Sequence, residues 1–253
     1  MLTFFVAPSP LEQFEIVTIL PLHFFSYNFS FTNSSLFLFL AAFLLILKIS
    51  LSFYNSSLIP NRWQTVKESL YEVTSNVVQE SLGLKGECYF PFIFVLHLLL
   101  LTCNLIGMVP YTFTVTSHIA FTFGLALSIF VGINIIGIQT HGIKFFALFL
   151  PRSVPLIIVP LLVTIEFISY IVKVFTLSIR LFANMTSGHT LLKIIAGFAW
   201  TMLSAGGLLA CFHVIPLILL LALVGLELGI AGLQAYVFTL LTCIYLNDVL
   251  DMH

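Results

Sequence analysis

The chain has 253 residues, of which 60% are hydrophobic and only 8% are charged, with a formal net charge of −1. Soluble domains carry about 25% charged residues, so this composition excludes a water-soluble globular protein. A net charge near zero gives no support for nucleic-acid binding. The sequence predicts an all-α polytopic membrane protein that forms a single membrane domain over residues 1–253.

The first third of the chain predicts one membrane span and one surface helix. We expect residues 1–35 to form a loop-like N-terminal segment. Residues 36–54 are an apolar run long enough to cross a hydrocarbon core of about 30 Å. In residues 61–82, apolar side chains recur at helical spacing between charged ones. This pattern predicts an amphipathic helix that lies on the membrane surface or against a partner.

The remainder of the chain predicts two helical hairpins. Residues 90–138 contain two spans, and residues 155–250 contain two longer apolar segments. Each of the longer segments amounts to about 60 Å of helix, twice the hydrocarbon thickness. Either these segments break, for which Pro160 and Pro216 offer places, or they tilt steeply. The continuous helical phase of their polar residues favours two unbroken, steeply tilted helices packed as an antiparallel hairpin.

The basic residues predict the orientation of the chain in the membrane. The connections 1–34, 109–118 and 200–206 contain no lysine or arginine, and the alternate connections do. The positive-inside rule therefore places the N-terminus outside, on the intermembrane-space or periplasmic side. Five crossings then place the C-terminus inside.

Polar residues at seven-residue spacing form one stripe on each of the two long segments, because seven residues are nearly two helical turns. The first stripe contains Glu166, Lys173, Arg180 and Ser187, with Asn184 one turn after Arg180. The second contains His213, Glu227, Gln234 and Asp248, with Tyr245 five turns past Glu227.

A hairpin folded about Gly206 and Gly207 sets these stripes against each other. Facing residues then have numbers that sum to about 414, given the regular helical repeat. The predicted pairs are Arg180 with Gln234, Glu166 with Asp248, and Ser187 with Glu227, with His189 close by.

Arg180 is the most informative single residue. A guanidinium stays protonated at any ordinary pH, and holding it at membrane depth costs about 2.5–3.5 kcal/mol on insertion scales. Ionisable groups at this depth usually mark an ion path, and the same interpretation applies to Glu166 and Glu227. The uncharged residues of the stripes have a second interpretation, as interhelical hydrogen bonds contributing about 0.6–2 kcal/mol. For Lys173 and Lys193, snorkelling toward an interface is the alternative to a functional role.

The run 178–193 resembles the signature of subunit a of F-type ATP synthases. The resemblance extends from about residue 60 onward, and the arrangement of His189 and Glu227 is that of the mitochondrial form. It implies a stator subunit that translocates protons against a rotating ring of c subunits. In this interpretation Arg180 meets the c-ring carboxylate and divides two half-channels. His189 and Glu227 form the outer path, and Glu166 and Asp248 the inner path. The supporting polar residues are Asn184, Ser187, Gln234, Tyr245 and Lys173.

The same resemblance implies the partners and the location. The partners are c-ring subunits, peripheral-stalk and other membrane-sector subunits, protons and membrane lipid. The location is the mitochondrial inner membrane. The chain is expected to be no enzyme by itself, with no cofactor, no metal, no nucleic acid and no directly bound nucleotide.

Two other classes of membrane protein are alternatives. A proton-pumping subunit of a respiratory oxidoreductase, or a secondary transporter, tends to carry inverted repeats or broken helices in matched halves, and neither is visible in the sequence. A haem protein needs axial ligand pairs facing each other within the bundle, whereas the seven histidines are scattered. No nucleotide loop, metal cluster or nucleophile constellation is apparent either.

Overall fold

The computed structural model describes residues 9–24, 27–28, 30–54, 60–109, 112–142, 145, 158–207 and 212–250. Within these residues the chain forms α1 Asn33–Tyr54, α2 Arg62–Leu82, α3 Phe90–Gly107, α4 Ile119–His141, α5 Val159–Ala205 and α6 Val214–Leu250. All of these helices except α2 are long and apolar enough to cross a membrane. The prediction of five spans and one amphipathic helix is therefore confirmed.

The N-terminal segment contains short strands, so the expectation of a loop-like segment was wrong. Its residues are rich in Thr, Ile, Phe and Tyr, which favour extended backbone, but strands this short leave no alternating pattern to read. The pairs are antiparallel: β1 Thr18–Leu20 with β4 Phe31–Thr32, and β2 His23–Phe24 with β3 Tyr27–Asn28. Asn33, the first residue of α1, connects this segment to the helix through two hydrogen bonds. Its side-chain Nδ2 donates to the Glu15 carbonyl, and its Oδ1 accepts from the Val17 N–H.

The amphipathic helix α2 is divided between a packed half and an exposed half. Thr74, Val77 and Val78, in its second half, are buried, and the helix packs on α3 and α6. Trp63, near its start, is 82% exposed. The helix ends at Gly83, whose φ of 59° lies in the left-handed region that favours glycine. Its second half thus packs on the chain's own α3 and α6.

The last helix, α6, is the centre of the bundle. It packs against α2, α3, α4 and α5. Ala231, Ala235 and Phe238 on α6 are fully buried. Helix association in a bilayer depends on close packing rather than on water exclusion, so the two alanines let neighbouring backbones approach and the phenylalanine fills the space between them.

The two long helices are unbroken. Pro160 and Pro216 lie in the first turns of α5 and α6, where the missing N–H would have no helical partner. The alternative of breaks at these prolines was therefore wrong. The 47 residues of α5 amount to about 70 Å of helix, so α5 fits a bilayer of about 30 Å only by tilting or by extending beyond it.

The predicted register between α5 and α6 was wrong by up to two turns. Gln234 meets Asn184, four residues beyond the predicted Arg180. Asp248 meets Lys173, seven residues beyond the predicted Glu166. Shifts of four and seven residues keep the same helix faces together. The second shift also replaces a repulsive pair of carboxylates with an attractive ion pair.

The position of the connection between the two helices explains the shift. Gly206 and Gly207 have φ values of 68° and 63° and follow the end of α5 at Ala205. However, α6 begins only at Val214. The connection is therefore centred about three residues later than the glycine pair. The facing pairs of Gln234 and Asp248 move along α5, whereas His189 lies close to Glu227, as predicted.

Candidate functional site

The interface of α5 and α6 carries two polar clusters with Arg180 between them. The turn-side cluster, nearer the α5–α6 connection, consists of Thr114, His189 and Glu227. The terminal cluster, nearer the end of α6, consists of Tyr170, Lys173, Tyr245 and Asp248. Along α5, Arg180 is about 10 Å from Lys173 and about 14 Å from His189, at 1.5 Å per residue. The two clusters are thus well separated along the helix.

In the turn-side cluster an imidazole lies between a carboxyl group and a hydroxyl group. His189 Nδ1 is 3.9 Å from Glu227 Oε2, and His189 Nε2 is 3.3 Å from Thr114 Oγ1. The side chains of His189 and Glu227 are only 14% and 8% exposed. Neither carboxyl oxygen of Glu227 has a hydrogen-bond partner within the described part of the chain. Imidazole and carboxyl groups are those best able to exchange protons near neutral pH.

Gly188 makes room for the Glu227 carboxyl group. A Cβ atom at residue 188 would lie 2.7 Å from Glu227 Oε1 and 2.9 Å from its Cδ. No side chain larger than hydrogen fits there without moving Glu227. The predicted contact of Ser187 with Glu227 was wrong, because the Ser187 hydroxyl donates to the Asn184 carbonyl of its own helix.

Arg180 is exposed on the surface of the chain. Within the described residues its guanidinium makes no ion pair, although it interacts electrostatically with the Tyr245 hydroxyl. The predicted contact with Gln234 is replaced by a hydrogen bond of 3.0 Å from Asn184 Nδ2 to Gln234 Oε1. The amide pair therefore lies one turn from Arg180 and leaves the guanidinium available to another molecule.

The exposed side chains that follow Arg180 on the same face of α5 are small and uncharged. Ala183 and Asn184 lie one turn further along α5 and Ser187 two turns further, and all three are exposed. We call these three residues together with Arg180 the Arg180 face. A charge of this kind rarely faces lipid, because ionisable side chains in spans usually face a protein interior or a water-filled cavity.

In the terminal cluster Lys173 forms an ion pair with Asp248. Its Nζ is 3.2 Å from Asp248 Oδ2 and lies 5.0 Å and 5.8 Å from the ring centroids of Tyr245 and Tyr170. Lys173 therefore pairs with a carboxylate of the chain's own last helix. Glu166, which was expected opposite Asp248, is exposed outside the cluster.

Sequence reasoning missed three residues that complete these clusters. Thr114 lies in an uncharged connection, and nothing in its neighbourhood marks it. Tyr170 donates a hydrogen bond of 2.9 Å to Asn134 Oδ1 on α4. Asn134 is a polar residue within an apolar span, and that is the one signal that could have identified this pair.

The described residues contain no group of three His, Cys, Asp or Glu side chains placed to hold a metal ion. His97, on α3, lies in the buried core with its Nδ1 3.4 Å from the Thr239 hydroxyl. Lys193 donates to the Ser9 carbonyl. The ionisable groups described at the α5–α6 interface are therefore those of the two clusters and Arg180.

Comparison with known proteins identifies the family. The family model described as ATP synthase A chain matches residues 35–247. This chain belongs to the ATP synthase A chain family. The matched range includes Arg180, His189 and Glu227 and ends one residue before Asp248.

Similar members of the ATP synthase A chain family cover the full chain. ATP synthase subunit a of Chondrus crispus is 80% identical over 253 residues, covering 100% of both chains. ATP synthase subunit a of Marchantia polymorpha is 51% identical, covering 98% of this chain and 100% of its own. ATP synthase subunit a-2 of Arabidopsis thaliana is 51% identical, covering 97% of this chain and 72% of its own. The resemblance inferred from the sequence motif is confirmed.

Proposed function

We propose that this member of the ATP synthase A chain family is the proton-translocating stator of the membrane sector. In this proposal two aqueous half-channels end near Arg180 from opposite membrane faces, and protons cross between them only by riding a rotating ring of c subunits. The observation that carries the proposal is an exposed arginine, without an ion-pair partner in the described chain, between two separate polar clusters. An intramembrane cation of this kind needs an anion from another subunit.

The c-ring carboxylate supplies that anion. A fixed cation favours the ionised form of a carboxyl group nearby, so each arriving c-subunit carboxyl releases its proton as it approaches Arg180. The same positive charge repels hydronium and opposes a direct leak from one half-channel to the other. The small, uncharged side chains of the Arg180 face let a helix of the ring approach the guanidinium closely.

The turn-side cluster forms the outer half-channel. His189 and Glu227 exchange protons with water reaching them from the intermembrane space, the side to which the positive-inside rule assigns the N-terminus. Thr114 lines the same half-channel beside His189.

The terminal cluster forms the inner half-channel. Asp248 and the exposed Glu166 accept protons released to the matrix side, and Lys173 holds Asp248 beside Tyr245. Asn184 and Gln234 form a neutral amide bridge next to Arg180, with donors and acceptors but no charge to trap a proton. Ser187 stabilises that turn of α5.

The surroundings of the subunit follow from the same proposal. The chain lies in the mitochondrial inner membrane, with its two long helices steeply tilted along the ring. The exposed half of α2, with Trp63, contacts peripheral-stalk or other membrane-sector subunits. One proton crossing 100 mV releases about 2.3 kcal/mol, which the ring delivers as torque to partner subunits that carry the nucleotide chemistry. The chain itself holds no cofactor.

Disulfide crosslinking tests whether the Arg180 face meets the ring. We expect Ala183→Cys to crosslink to a cysteine placed beside the c-subunit carboxyl group, because residue 183 is exposed next to Arg180. Val131→Cys is the control, since Val131 is 45% exposed on α4, away from that face. Crosslinking at 131 with none at 183, in fully assembled complex, would show that another surface faces the ring.

Replacement of Gly188 tests whether Glu227 has to occupy its observed position. Gly188→Ala is expected to displace the Glu227 carboxyl group and to slow ATP synthesis severalfold, most strongly when the outside pH is high. Gly197→Ala is the matched control on the same helix, since a Cβ there meets nothing within 4 Å. Equal ATP synthesis rates for the two variants across the outside pH range would contradict this role of Gly188.

A further inference from the structure

We propose that Thr114 is a positioning residue that fixes the neutral His189 ring as its Nε2–H tautomer and keeps Nδ1 available to exchange a proton with Glu227. This inference rests on the proposed function, in which His189 and Glu227 form the outer half-channel. It adds that the proton passes through His189 Nδ1, and that the Thr114 side chain determines which ring nitrogen is used.

The hydrogen bonds of the Thr114 hydroxyl determine the tautomer. The hydroxyl donates to the Gly107 carbonyl, at 3.4 Å. A threonine hydroxyl has one proton and two lone pairs, so toward His189 Nε2, at 3.3 Å, it acts as the acceptor. The Nε2 atom must then carry a proton. In a neutral imidazole the other nitrogen, Nδ1, consequently has the lone pair.

The position of Thr114 is built into the connection between α3 and α4. Thr114 is only 4% exposed. A Cβ atom at Gly107, the last residue of α3, would lie 2.6 Å from Thr114 Cγ2 and 3.0 Å from its Oγ1. Glycine at the end of α3 therefore provides the space in which the Thr114 hydroxyl reaches the ring.

The remaining ring nitrogen faces the carboxyl group. His189 Nδ1 is 3.9 Å from Glu227 Oε2. At 3.9 Å the two atoms must first approach by about 1 Å to reach hydrogen-bond distance. When Glu227 is protonated, its O–H bond then breaks and an Nδ1–H bond forms, which gives an imidazolium and a carboxylate. The reverse transfer restores the neutral pair. Thr114 accepts the Nε2–H hydrogen bond in both states, and this bond is stronger when the ring is charged.

Few other titratable groups lie on the elements around this cluster. His118 follows the short turn that packs on α5, and its ring stacks on Phe113. Burial lowers the pKa of His118, so its ring is neutral at neutral pH. Lys193, one turn from His189 on α5, donates to the Ser9 carbonyl. Glu227 is thus the group positioned to trade a proton with Nδ1.

The test measures ATP synthesis by the assembled synthase as a function of outside pH. In Thr114→Val the charged ring loses its acceptor, so a higher proton concentration is needed to load the cluster. We expect the midpoint of the profile to move to lower pH by roughly half a unit to one unit, the difference between a charged and a neutral hydrogen bond. Thr114→Ser keeps the hydroxyl and is expected to retain the wild-type midpoint.

Two further variants separate a positioning role from a packing role. Thr112→Val is the matched control, because the Thr112 hydroxyl donates only to the Ile106 and Val109 carbonyls of the same connection. Thr114→Ala removes the hydroxyl without adding a methyl group, so it replaces the valine variant if that variant fails to assemble. Gly107→Ala displaces the same hydroxyl and is expected to lower the midpoint as well.

The outcomes distinguish this inference from the proposed function. An assembled Thr114→Val or Thr114→Ala complex with the wild-type midpoint would overturn the inference, and so would a serine variant shifted as far as the valine variant. If Glu227→Gln slows proton uptake while the Thr114 variants have no effect, only the role of Thr114 is wrong. If Glu227→Gln also leaves uptake unchanged, the assignment of the outer half-channel fails.

Discussion

Replacement of Arg180 by alanine is expected to lower gradient-driven ATP synthesis at least about 100-fold, since a preorganised charge at a reacting group commonly contributes two to three orders of magnitude. Arg180 makes no ion pair within the described residues, so its removal breaks no such pair in the subunit. Assembly of the complex should therefore persist. The measurement is the rate of ATP synthesis per assembled complex in energised vesicles.

The matched control for this experiment lies one turn away on the same helix. The Thr176 hydroxyl donates to the carbonyls of Val172 and Lys173 in its own helix. Thr176→Val is accordingly expected to retain wild-type synthesis. Normal coupling in the Arg180→Ala complex would refute the assignment of Arg180 as the divider of the half-channels.

Replacement of Glu227 by glutamine is expected to slow proton uptake from the outside at least about tenfold, because positioned acid–base groups typically contribute a factor of about 10²–10⁴. Glutamine has a similar shape but cannot bind and release a proton. The loss should be largest at high outside pH, where protons are scarce. The measurement is proton flux into energised vesicles as the outside pH is varied.

A second polar residue on α6 provides the control for Glu227. Thr242 is buried, and its hydroxyl donates to the Phe238 carbonyl of the same helix. Thr242→Val should leave the flux unchanged, which separates loss of a titratable group from general damage to the helix. Equal fluxes in Glu227→Gln and wild type at high outside pH would remove Glu227 from the outer half-channel.

The helices could be predicted from the sequence because their signals are local. Apolar runs of sufficient length predicted all five spans, and helical spacing of charged and apolar residues predicted α2. The short strands near the N-terminus were not predicted, because each of them has only two or three residues. Pro160 and Pro216 did not break their helices because first-turn positions tolerate proline.

The polar residues of the site could be predicted for a similar reason. Arg180, His189 and Glu227 are ionisable groups in apolar segments, and such groups are conspicuous whatever the packing. The register that brings the polar residues of α5 and α6 together could not be derived as reliably. The register depended on the length of the α5–α6 connection, and a shift of one or two turns keeps the same faces together while changing the partners of Gln234 and Asp248.

The contacts that residues of α5 make with other parts of the chain could not be predicted from sequence patterns. Thr114 touches His189 across 75 positions of sequence, and Tyr170 reaches Asn134 on another span. A single uncharged polar residue in a membrane protein is commonly bonded to its own helix. Only the packing of α4, and of the connection that precedes it, against α5 distinguishes Thr114 and Asn134 from that ordinary case.

Passive proton flux through vesicles containing the assembled Arg180→Ala complex tests the central claim most directly. If Arg180 separates two half-channels, its loss should connect them, and passive flux should exceed that of wild type. Adding Glu227→Gln to the same complex should reduce that flux, since the leak must pass the outer half-channel. Proton-tight Arg180→Ala vesicles that still couple a gradient to ATP synthesis would contradict the account.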